Sequence, residues 1–168
     1  MNELGDVLTR MGEFEAGEDW LRQALDMRRA LLGDRDPDVA QSLEDLAVNI
    51  LGQGNYEQSA ILLREAVGIR EDVQGDPHPD LAEALSNLGN VIYELGDYAE
   101  TERLYSESLE MKLKLLPEVH PEIATGMNNL AFVLHDQGEY EEACLLYTSP
   151  SPRDIEVHLV CRLLLEKG

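Results

Sequence analysis

Leu85-Ser86-Asn87-Leu88-Gly89-Asn90-Val91-Ile92-Tyr93-Glu94-Leu95-Gly96-Asp97-Tyr98 is the stretch on which the reading of this chain turns. Stepping by 42 residues in either direction finds it again: Leu4, Leu46, Leu88 and Leu130; Gly5, Ala47, Gly89 and Ala131; Gly12, Gly54, Gly96 and Gly138; Phe14, Tyr56, Tyr98 and Tyr140. The registers agree without an insertion. A fixed period of this size marks a stacked array, in which each unit buries its apolar face only against its neighbours.

Within one unit the apolar residues fall at helical spacing. Leu85, Leu88, Gly89 and Ile92 make one stripe down a first helix, A, and Leu43, Leu46, Ala47 and Ile50 or Met127, Leu130, Ala131 and Leu134 repeat it. The small member of each stripe lets a second helix approach closely. A turn follows at Gly54 or Gly96, where glycine can take the left-handed conformation that ends a helix. Asn55 and Asp97 are suited to cap the helix after it. Helix B then carries Tyr98, Thr101, Leu104, Tyr105, Ser108, Leu109 and Met111, and so short a turn forces A and B to pack antiparallel. The pairs are joined at Asp36-Pro37, His78-Pro79 and His120-Pro121, where proline suits the first turn of the next helix A. Pro117 stands where the other junctions have glycine, so the third helix B should stop at Leu116.

Leu88-Gly89, Gly96, Tyr98 and Ser108, matched by Leu46-Ala47, Gly54, Tyr56 and Ala66, resemble the tetratricopeptide repeat consensus. The common repeat has about 34 residues. The longer variety here, with the stretches Met127-Asn128-Asn129-Leu130-Ala131 and Gln137-Gly138-Glu139-Tyr140-Glu141-Glu142-Ala143, resembles the repeats of kinesin light chains. The resemblance implies an all-α fold: a tetratricopeptide-type α-solenoid of antiparallel helix pairs, wound as a right-handed superhelix. Its repeats are expected at about 1–40, 41–82 and 83–124, with a truncated copy at 125–143.

After Ala143 the chain reads Cys144-Leu145-Leu146-Tyr147-Thr148-Ser149-Pro150-Ser151-Pro152-Arg153-Asp154, which resembles one translated frame of a transposase-type sequencing-library adapter. His158-Leu159-Val160-Cys161-Arg162-Leu163-Leu164-Leu165 resembles the flow-cell end of the same kind of library, in the right order and frame. Residues 144–168 are therefore expected to be adapter-derived rather than a natural domain, and the protein a fragment. Neither Cys144 nor Cys161 then supports a disulfide, metal or redox argument.

Composition narrows the function classes. The net charge of −21 would repel a phosphate backbone or an anionic membrane surface, so neither nucleic acid nor membrane is an expected partner. The tail carries three charges of each sign, and the balance of −21 belongs entirely to residues 1–143. Because the charges are interspersed among periodic apolar residues, they read as solvated helix faces rather than disorder. No apolar run of 18 residues occurs, and residues 1–10 have no basic start or apolar core, so a cytoplasmic location is expected.

Catalytic signatures are absent: there is no phosphate loop, no His-Glu-x-x-His and no Gly-x-Ser-x-Gly. No enzyme activity, cofactor or metal is expected. His78 and His120, at equivalent repeat positions, read as helix caps. In tetratricopeptide arrays helix A lines the inner groove, so the resemblance implies a peptide-binding surface from its polar positions. Carried over by position, these include Glu44 and Val48 in the second copy, Asn87, Asn90 and Tyr93 in the third, and Asn128, Asn129 and Phe132 in the fourth. Asparagine amides can donate to and accept from a peptide backbone. Tyr93 and Phe132 are the expected anchors, since an aromatic contributes area at little entropic cost. The basic clamp that grips a terminal carboxylate is missing, with Gly52, Glu94 and Asp136 at the positions matching Arg10. An acidic cargo peptide would meet Glu44, Asp45, Glu83 and Glu94. The expected function is a non-catalytic protein–protein interaction module for a basic or neutral peptide or protein. A sensor segment of a larger signalling NTPase or protease and a structural spacer are the alternatives.

Overall fold

The computed structural model describes residues 2–117 and 119–148. Those residues form an all-α array of antiparallel helix pairs. The helices are α1 (Asn2–Arg10), α2 (Phe14–Leu32), α3 (Pro37–Gly52), α4 (Tyr56–Gln74), α5 (Pro79–Glu94), α6 (Tyr98–Leu115), α7 (Pro121–Gln137) and α8 (Tyr140–Thr148). Odd-numbered helices are the A members of the repeats and even-numbered ones the B members.

The punctuation follows local chemistry. Gly54 and Gly96 sit at φ of 80° and 82°, a conformation that a side chain disfavours, and turn the chain back on itself. Asn55 and Asp97 then cap α4 and α6 by accepting from the amides of Gln58 and Glu100. Asp36, His78 and His120 cap α3, α5 and α7, each of which begins with proline. Nδ1 of His78 accepts from the Asp80 amide at 3.2 Å and Nδ1 of His120 from the Glu122 amide at 3.3 Å. Both rings act as the expected caps. α6 ends at Leu115, and Leu116 turns to the extended φ of −112° and ψ of 155° that a following proline imposes.

The core is a series of A helices, of which α3, α5 and α7 are each held between two B helices. Leu43, Leu46 and Ile50 of α3 pack with Leu21 and Leu25 of α2 and with Ala66 and Ile69 of α4. Leu85, Leu88 and Ile92 of α5 pack with Leu63 and Val67 of α4 and with Leu104 and Met111 of α6. Leu130, Val133 and Leu134 of α7 pack with Tyr105 and Leu109 of α6 and with Ala143 and Leu146 of α8. Among the described residues α1 has only the later neighbour, and the stripe expected to be buried there is partly open. Leu4 is 45% exposed, against 2% or less for Leu46, Leu88 and Leu130.

The small residue of the stripe sits where A and B approach most closely. A Cβ on Gly89 would lie 2.6 Å from the Tyr105 ring, and one on Gly5 would lie 2.6 Å from the Leu21 side chain. Past residue 143, the expected end of the truncated repeat, Leu146 is buried at the position equivalent to Leu104. Most of the segment expected to be adapter-derived, from Ser149 onward and including Cys161, lies outside the described residues. No helix among the described residues is long and apolar enough to cross a membrane.

Two glycines in helices therefore respond to alanine with opposite signs. Gly68 of α4 has open space where a Cβ would go, so Gly68→Ala should raise stability by about 0.5–1 kcal/mol. Gly89→Ala must displace the buried Tyr105 ring, and overpacking of about 1–3 kcal/mol outweighs the helix-propensity gain. Urea unfolding of the two variants checks the pair.

Candidate functional site

Residues three apart on α5 share a face, so Asn87, Asn90 and Tyr93 follow one another along it. Asn87 is half-buried, Asn90 exposed and Tyr93 half-exposed. On α7 Asn128 is exposed, Asn129 half-buried and Phe132 53% exposed. Val48 of α3, one repeat before Asn90, is also exposed.

Of these, the structure brings Tyr93 and Phe132 into contact, with ring centroids 5.7 Å apart. Tyr98, the first residue of α6, adds a third ring 5.4 Å from Tyr93. The Tyr93 hydroxyl donates to the Asp136 carboxylate on α7. That bond pushes the Tyr93 phenol up to about 12, and with the His135 contact it holds the Asp136 carboxyl below its ordinary range. One tyrosine thus ties α5 to α7, and an ionised carboxylate stands at the rim of three rings that remain partly open to solvent.

Asn90 is more restricted than its exposure suggests. Its Oδ1 accepts from the Tyr105 hydroxyl at 2.7 Å, reaching over from α6. One of the two Oδ1 lone pairs is thereby taken, so Asn90 offers a peptide its two N–H donors and a single remaining acceptor site. Burial, assisted by Glu94, pushes the Tyr105 phenol up to about 12, so the hydroxyl stays a donor.

Glu44 is a correction to the expected groove. It is only 7% exposed, and both carboxylate oxygens accept from Arg70, at 2.6 Å from Nε and 3.1 Å from Nη2. Arg70, 3% exposed on α4, also reaches Asp80 on α5 at 3.0 Å. The guanidinium thus bridges consecutive A helices from beneath. Burial pushes the Glu44 carboxyl up, and Arg70 draws it back toward the ionised form. A ligand has no access to this carboxylate. Of the other acidic groups expected to face cargo, Asp45 is half-buried and bonded to Asn2 and Gln41, while Glu83 and Glu94 are exposed.

Arg70 belongs to a series that sequence reasoning missed, although the signal was present in the period. Arg28, Arg70 and Lys112 stand 42 residues apart on the B helices. Arg28 donates to the Ser42 hydroxyl at 2.6 Å and the Asp38 carbonyl at 3.0 Å, both on α3. Lys112, buried on α6, donates to the Ser86 hydroxyl of α5 at 3.0 Å, and burial pushes its ammonium down. Each cation is directed inward at an A helix, away from the outer surface.

Among the described residues no group of three His, Cys, Asp or Glu side chains is placed to hold a metal ion. What the geometry defines is a repeat scaffold with a polar and aromatic A-helix surface. The tetratricopeptide repeat family profile matches residues 1–72, 44–114 and 80–149, and the chain belongs to that family. Among solved structures it is similar to the kinesin-light-chain TPR-like repeat protein of Podosopora anserina, at 21% identity over 86% of this chain and 68% of that one, with a TM-score of 0.80. BtubC (BKLC) from P. vanneervenii is 18% identical over 93% of this chain and 61% of that one, also with a TM-score of 0.80. A Rap protein complexed with Competence and Sporulation Factor is 20% identical over 85% of this chain and 38% of that one, with a TM-score of 0.69. At these identities the likeness is one of fold. A search of the curated proteins finds no match.

The buried pair yields a stability contrast. Glu44→Gln leaves a buried guanidinium short of a counter-charge and should cost about 2–4 kcal/mol. Glu65→Gln, which breaks the solvent-exposed 2.6 Å pair with Arg29, should cost less than about 1 kcal/mol. Denaturant midpoints of both variants decide whether Glu44 belongs to the scaffold.

Proposed function

We propose that this chain is a protein-interaction module that holds a basic or neutral peptide or partner segment along the A-helix surface of its third and fourth repeats. Tetratricopeptide domains typically bind other proteins, and the Rap relative in fold is one crystallised with a factor bound. The observation that carries the reading is the Tyr93–Phe132–Tyr98 aromatic surface, partly open to solvent, with Asp136 at its edge. Aromatic side chains supply binding area at small entropic cost and dominate interfaces of this kind. Asn87 and Asn90, on the same face of α5, are positioned to donate to the carbonyls of an extended chain.

The net charge of −21 favours a cationic or uncharged partner over an acidic one and steers its approach. Burial of Lys112 against the Ser86 hydroxyl strengthens that preference by withdrawing a positive charge from the surface, whereas Arg70 is buried together with the Glu44 carboxylate and leaves the surface balance unchanged.

Selection of peptides from a random display library against the wild-type chain, followed by anisotropy titration, tests the proposal. Selected peptides should be neutral or basic, and Tyr93→Ala or Phe132→Ala should weaken them about tenfold or more. Peptides indifferent to both substitutions would count for a spacer and against a groove.

A further inference from the structure

We infer that the Tyr93–Phe132–Tyr98 surface, with the Asp136 carboxylate at its edge, is a subsite for an arginine side chain of the bound partner. The inference rests on the peptide-binding reading above and specifies one residue type that the site selects.

Three observations converge on a guanidinium. The rings of Tyr93 and Phe132 lie 5.7 Å apart on different repeats, and Phe132 is 53% exposed, so a flat group can lie against a face without entering the core. Aromatic faces carry negative quadrupole charge and attract cations, arginine most often. Next, Asp136 is oriented by two bonds, from the Tyr93 hydroxyl and with His135 Nδ1 at 3.1 Å. A carboxylate has about four lone-pair sites, so two such bonds leave acceptor capacity for an incoming N–H. Finally, Glu94 is exposed on α5 next to Tyr93, and the field of the chain favours positive charge throughout.

Competing side chains fit less well. A leucine could cover the rings but would desolvate Asp136 without replacing its water contacts, which costs free energy. A carboxylate would be repelled by Asp136 and Glu94. Lysine meets the charge requirement, but its compact ammonium lacks the planar fork that stacks on a ring and reaches a carboxylate together.

The test is an NMR titration of the isotopically labelled full chain with N-acetylarginine amide, N-acetyllysine amide and N-acetylcitrulline amide. Citrulline keeps the shape of arginine and removes its charge. Saturable shifts centred on the Tyr93 and Phe132 rings are expected with arginine, about fivefold tighter than with citrulline, and with lysine between them. Asp136→Asn should bring arginine down to the citrulline level, and Phe132→Ala should abolish the ring-centred shifts. Both positions are exposed, and an unchanged melting curve verifies the fold. Equal affinity for arginine and citrulline, or shifts centred away from these rings, would overturn the inference. In that event, library-selected neutral peptides that still require Tyr93 and Phe132 would leave the peptide-binding reading standing. Selected peptides indifferent to both would remove it as well.

Discussion

Everything in this molecule depends on seating one A helix between two B helices at close range. Gly89 against the Tyr105 ring is the tightest expression of that constraint in the third repeat, as Gly5 against Leu21 is in the first. A small residue in the stripe brings the two axes together, and the stripe's leucines then fill the space on either side. Since each repeat meets only its neighbouring repeats, stability builds up as a chain of local interfaces. The same seating positions the candidate site: Tyr105 is held near α5, so its hydroxyl reaches Asn90, and α5 is held near α7, so Tyr93 reaches Asp136 and Phe132. Site and scaffold are one set of contacts.

Charge and packing act together. The repeats carry many carboxylates, yet the Arg28, Arg70 and Lys112 series turns its positive ends inward at consecutive A helices. Arg70 offsets the desolvation of Glu44 and touches Asp80 of the next repeat, which makes one guanidinium a tie between pairs. Lys112, at the equivalent place, meets a serine hydroxyl instead. Lys112 therefore withdraws a positive charge from the surface with a hydroxyl as its hydrogen-bond partner, while Arg70 and Glu44 are withdrawn together, which bears on the sign of any partner.

Features confined to a single repeat were legible in the sequence. The turn glycines, the caps at Asn55, Asp97, His78 and His120, and the end of α6 before Pro117 each follow from the backbone needs of a few neighbouring residues. Features set by how repeats stack were not. Glu44 reads as one more solvated carboxylate until α4 delivers Arg70 beneath it. Tyr93 and Phe132 are 39 residues apart, not a multiple of the period, so only the offset between adjacent pairs brings them together. Leu4 obeys the stripe pattern yet stays half open, because its burial depends on a second flanking helix rather than on its own.

Amide hydrogen exchange of the intact chain measures this dependence on flanking helices directly. Among the described residues α3 and α5 are each enclosed by two B helices and α1 is flanked by one, so α3 and α5 should exchange most slowly, near the global unfolding limit, and α1 fastest among the A helices. Equal protection of α1 and α5 would contradict the account, because it would mean that the helices draw their stability from something other than being enclosed on both sides.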